Sequence, residues 1–155
     1  MGKYLSLGFI LAIALFLITS VMINHSSNTT NMQAIDTGIK TSVLGEMRNN
    51  EDTDGYGMRA KDVVAVITEE VTENQSDSKK TTTIDFKFFS DEDGNSPIEY
   101  NKAIADNTVI KSVQYKVNLY NSKDVTTNSS GETIIKDGAQ AESSTENRII
   151  LNKSL

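Results

Sequence analysis

"KSVQYKVNLYN", residues 111–121, alternates along its length: Val113, Tyr115, Val117 and Leu119 fall on one side, Gln114, Lys116, Asn118 and Tyr120 on the other. Successive side chains of an extended chain point to opposite faces, so a period of two predicts a strand with one buried face. Such a strand needs neighbours of the same kind. Upstream, "TTTIDFKFF" (81–89) sets Ile84, Phe86 and Phe88 against Asp85, Lys87 and Phe89, and "SDEDGNSP" (90–97) supplies turn formers between the two runs. Downstream, "ETIIKDG" (132–138) and "RIILNK" (148–153) are shorter strand candidates on either side of the loop "AQAESST" (139–145). The polar "SKDVTTNSSG" (122–131) reads as a long flexible loop.

Further upstream the period changes. In "RAKDVVAVITEEVTE" (59–73), Ala60, Val63, Val64, Ile67 and Val71 share one helical face while Glu69, Glu70 and Glu73 point away. Its β-branched residues make that helix marginal alone, so it must rely on packing. "NMQAIDTGIKTSVLGEMRNN" (31–50) places Met32, Ile35, Ile39, Val43 and Met47 on a second stripe at spacings of three and four, with Leu44 beside it. Gly38 and Gly45 weaken this helix, and "NNEDTDGYG" (49–57) ends it. Helices followed by strands predict an α+β layer in which the helices cover one face of an antiparallel sheet of about four strands.

The N-terminal part is of another kind. "YLSLGFILAIALFLITSVMI" (4–23) carries no charge, and as a helix it reaches about 30 Å, the thickness of a bilayer's hydrocarbon core. The expected organisation is a transmembrane anchor over 1–23, a polar juxtamembrane segment over 24–31 ("NHSSNTTN") and an extracytoplasmic α+β domain over 32–155. Lys3 precedes the run and no Lys or Arg follows until Lys40, which puts the N-terminus in the cytoplasm and the domain outside a single-pass cell-membrane protein. Cleavage by a signal peptidase after Ser20 and some other processing are the remaining readings of the run. Gly8, Ala12 and Ala14 supply small residues at which another helix can approach closely.

Composition narrows the chemistry. The 155 residues carry a formal charge of −6 with a single adjacent basic pair, Lys79-Lys80, which argues against nucleic acid as a partner. There is no cysteine, hence no disulfide, thiolate metal site or cysteine nucleophile. His25 is the single histidine and sits next to the apolar run, where a Ser-His-Asp arrangement has no nearby acid to use. Asn50, Asp52, Asp54 and Gly55 resemble the first half of a calcium loop, but Lys61 stands where the bidentate Glu belongs, so the stretch reads as an acidic turn. No nucleophile elbow, zinc-protease helix or phosphate loop is present. The expectation is a protein without catalytic residues, cofactor or metal that works by association.

A hydrophobic N-terminal helix that continues as an amphipathic helix and then meets an antiparallel sheet resembles a type IV pilin or pilin-like minor subunit. Lys3 and the pair Gly8-Phe9 stand where that family has its basic leader and cleavage site, with Ile13 where it carries a glutamate. The resemblance implies a non-enzymatic subunit of a bacterial envelope or pilus-type assembly, with protein subunits and the membrane as partners. Gly8, Ala12, Ala14, Ile35, Ile39 and Val43 would then be the assembly face of the helix. The alternative is a permanently anchored accessory protein of a secretion, conjugation or cell-envelope apparatus.

Overall fold

The computed structural model describes residues 2–49, 56–75, 79–129 and 133–152; before Ser26 it describes the side chains of Ile13, Leu15, Leu17, Ile18, Thr19 and Met22. One helix, α1 (Gly2–Asn49), runs from the N-terminus through the polar 24–31 stretch and the amphipathic segment without a break. It is followed by β1 (Met58–Arg59), α2 (Ala60–Asn74), β2 (Lys80–Phe89), β3 (Pro97–Ile98), α3 (Tyr100–Ala105), β4 (Val109–Ile110), β5 (Ser112–Asn121), β6 (Val125–Thr127), β7 (Thr133–Ile135) and β8 (Ser143–Ile150). The architecture is α+β. Its main sheet has four antiparallel strands in the order β3-β2-β5-β8, and β1-β4 and β6-β7 form small two-stranded sheets.

The register explains the alternating patterns. Ile84 faces Val117, Phe86 faces Tyr115 and Phe88 faces Val113, which brings the apolar residues of both long strands to one face. Against that face lie α1 and α2. Met32, Ile35, Ile39, Val43 and Met47 of α1 and Ala60, Val63, Ile67 and Val71 of α2 join the sheet residues in a single core. The opposite face is polar, with Asp85, Lys116 and Glu146 in one row across three strands. Phe89, expected on the wet side, is also buried, beside β3.

The helix ends borrow partners from the rest of the domain. The first turn of α2 has no side-chain cap, and its exposed donors go instead to the turn before β4: Ala60 N–H donates to the Thr108 carbonyl at 2.9 Å and Lys61 N–H to Asn107 Oδ1 at 3.2 Å. Asn107 adopts φ +47°, a left-handed conformation that Asn tolerates better than most residues.

Several expectations need correction. The expected fold class included a transmembrane helix, but among the described residues no helix is long and apolar enough to cross a membrane. The supposed loop after β5 holds a short 3-10 turn (Ser122–Asp124) and then β6, which pairs with β7. β8 begins at Ser143, inside the stretch read as an Ala/Ser-rich loop. β3, α3 and β4 occupy a segment in which no element was expected. The acidic stretch with Asn50, Asp52 and Asp54 lies outside the described residues.

Candidate functional site

α1 serves two surroundings. From Met32 to Met47 its stripe is buried, with Ile35 at 2% exposure and Ile39 and Val43 at 0%. Those three members of the expected assembly face therefore hold α1 to its own domain. At Gly38 the end of the Glu70 side chain occupies the space that a Cβ would take. Glu70 accepts from Ser42 Oγ at 2.7 Å, which ties the two helices together, and from Asn74 Nδ2 of its own helix at 2.8 Å.

A second tie joins α1 to the sheet. Tyr115 Oη donates to Asp36 Oδ1 at 2.6 Å, Asn147 Nδ2 reaches both carboxylate oxygens at 3.2 Å, and Lys40 Nζ reaches Oδ2 at 2.8 Å. Partial burial pushes the Asp36 carboxyl upward, yet the hydrogen bonds from Lys40, Tyr115 and Asn147 and the Lys40 charge outweigh it and hold the group below the ordinary carboxylate range. Burial and the Asp36 charge raise the Tyr115 phenol well above its usual value.

Where α1 leaves the domain the surface turns polar. Asn28 Nδ2 donates to Glu142 Oε2 at 3.2 Å, and the same carboxylate accepts from Lys80 Nζ and from Asn121 Nδ2 at 3.4 Å. The Lys80 hydrogen bond is the main reason the Glu142 carboxyl titrates low. This network borders a cleft of about 620 Å³ between Met32 on α1, Gln75 and Leu119. Among the described residues no group of three or more His, Cys, Asp or Glu side chains converges on a common metal position.

Beyond Asn28 α1 has no covering from the domain in its described side chains. Ile13, Leu15, Leu17, Ile18 and Met22 are exposed by 46 to 66%. At about 100° per residue they are spread over roughly 200° of the helix circumference. A helix apolar on so much of its surface is covered from several sides wherever it is stable in its working state. The side chains of Gly8, Ala12, Ala14 and His25 lie outside the described residues. The apolar run is plain in the sequence; what the sequence leaves undecided is that the stripe from Ile35 to Val43 belongs to the core. Compared with family models, curated proteins and solved structures, the chain gives no match.

Proposed function

We propose that this protein is a non-enzymatic subunit of a pilin-like envelope assembly, joined to its neighbours through the N-terminal half of α1. The observation that supports the reading is the division of one helix into two halves. The C-terminal half is buried against its own domain and tied there by Asp36 and Ser42, while the described apolar side chains of the N-terminal half are exposed. A rigid helix fixed at one end presents its other end to equivalent helices in a defined orientation. Such packing buries apolar surface at about 25 cal/mol per Å², and five large side chains per subunit provide several kcal/mol before association costs. The α+β domain then lies at the periphery, with its polar sheet face outward.

Sedimentation of the full chain against a chain beginning at Thr30 tests this. The full chain in mild detergent is expected to form assemblies that grow as detergent is diluted, and the shorter chain to remain monomeric. If both are monomeric at every detergent level, the helix is not an assembly element.

A further inference from the structure

β2 is paired along its whole length with β5, but on its other side with β3 at Phe88 and Phe89 alone. Which backbone groups this leaves open follows from the alternation of an antiparallel strand, in which the N–H and C=O of one residue point to the same side and those of the next residue to the other. The Phe89 carbonyl accepts from Lys111 N–H, on the β5 side, whereas Ser90 N–H donates to Ser96, on the β3 side. Even-numbered residues therefore turn their backbone groups away from β5. The Lys80 carbonyl on that side is occupied by Gln75 Nε2 at 2.7 Å, and Phe88 is paired with Ile98. Between these two closures, Thr82, Ile84 and Phe86 present N–H and C=O groups with no strand beside them among the described residues.

A groove of about 810 Å³ follows the same stretch. Val64 and Thr68 of α2 and Tyr100 of α3 line one part of it, and Thr133 and Ile135 of β7 another. Tyr100 stacks on Phe86 and Phe88 at ring distances of 6.2 and 5.5 Å, which fixes that part of the groove. Thr82 Oγ1 is buried with no hydrogen-bond partner. Asp85 is the one acidic or basic side chain among the described residues of the lining; its Oδ2 accepts from Asn118 Nδ2 of β5 at 3.2 Å, which leaves Oδ1 to meet a cation.

We propose that this edge is a docking site for an extended peptide segment of a partner protein. The segment adds a strand to β2 by pairing with Thr82, Ile84 and Phe86. It carries uncharged, β-branched or small side chains at alternate positions and a Lys or Arg opposite Asp85. Main-chain pairing supplies the affinity in this mode, and the flanking walls choose the side chains. The occupant is a polypeptide because a row of alternating donors and acceptors at strand spacing is matched by another extended backbone. A partner's chain is favoured over a second copy because the lone carboxylate of the groove calls for a cation, while the same edge of a second copy would bring Asp85 towards Asp85.

The test uses the full chain, amide hydrogen exchange by NMR, and a capped synthetic peptide of alternating Thr and Val with one central Lys at millimolar concentration. Exchange at Thr82, Ile84 and Phe86 is expected to slow at least tenfold, with no such effect from the same peptide N-methylated at alternate residues. Exchanging its Lys for Glu is expected to weaken binding at least tenfold. Thr82→Pro removes an N–H that β5 does not use and is expected to abolish protection while leaving the β2–β5 ladder intact. No change at the three amides on adding peptide would overturn the proposal, as would equal binding of the Glu peptide. Protection that rises with protein concentration in the absence of peptide would assign the edge to a second copy and equally overturn it. None of these outcomes depends on how α1 associates.

Discussion

Asp36 is the residue on which the helix and the sheet agree. Its partly buried carboxylate, carried by α1, accepts hydrogen bonds from Tyr115 and Asn147, two sheet residues far apart in sequence, and from Lys40 one turn along the helix. Hydrogen bonds to a charged group contribute about 1.5–3 kcal/mol. Asp36→Asn is therefore expected to lower stability at neutral pH by about 2 kcal/mol, read by urea titration. The pH dependence has a definite sign. The folded carboxyl titrates below its unfolded value, so its contribution is fully present above the unfolded value and is lost as pH falls through the lower, folded one. The gap between parent and Asp36→Asn should thus narrow on acidification below about pH 4. A gap that stays constant to pH 2 would show that the charge is not what the network holds. Tyr115→Phe, which leaves the carboxylate a donor short, should cost about 1–3 kcal/mol with no change in fold. Gly57 shows a different residue-scale constraint: its φ is +95°, and a Cβ added there would stand 2.6 Å from the Ile110 carbonyl oxygen, which leaves no room for a side chain. Gly57→Ala should cost about 2 kcal/mol or more in the same titration; a neutral result would mean that the β1–β4 corner relaxes freely.

Elements differ in how plainly the sequence announces them, and the reason is which neighbour each one needs. β5 is legible because its core-facing positions are decided by burial: Val113, Tyr115 and Val117 are fully enclosed while Lys116 is exposed, although Asn118, read on the polar side, is also buried and donates to Asp85. Val117→Asp places a charge in that enclosure without a partner, and loss of the cooperative melt is the expected outcome; an unchanged melting curve would remove Val117 from the core. The stripe on α1 is legible for the same reason at helical spacing. β8 is not, because its inward positions include Thr145 and Asn147, and Asn147 is there to reach Asp36 rather than to fill apolar space. α3 has six residues, too few for a period to show, and β3 and β4 have two each. β6 and β7 are largely exposed, so burial leaves no pattern on them. Of the candidate surfaces, the apolar helix could be read from the chain directly. The open edge of β2 could not, since which side of a strand lacks a neighbour is decided by the pairing of distant segments.

At the scale of the whole molecule, α1 is both a wall of the core and a projection from it. A chain beginning at Thr30 keeps Met32 to Met47 and should melt cooperatively as a folded monomer. A chain beginning at Leu44 loses Met32, Ile35, Ile39 and Val43 at once, and each fully buried apolar side chain is worth about 1.5–3 kcal/mol, which together reaches the total stability of a small domain. It should not fold. If it does, the stripe is dispensable to the core and is free to serve as part of an interface. The two halves of α1 must also behave differently in the assembled state. Site-specific photocrosslinking separates them most directly, with one probe at Ile18 on the exposed apolar half and another at Thr41 on the exposed side of the half held by the domain. In cells that make the protein, Ile18 should give discrete adducts with copies of the chain or with other helical subunits, while Thr41 gives few or none. Adducts from Thr41 with none from Ile18 would contradict association through the N-terminal half of α1.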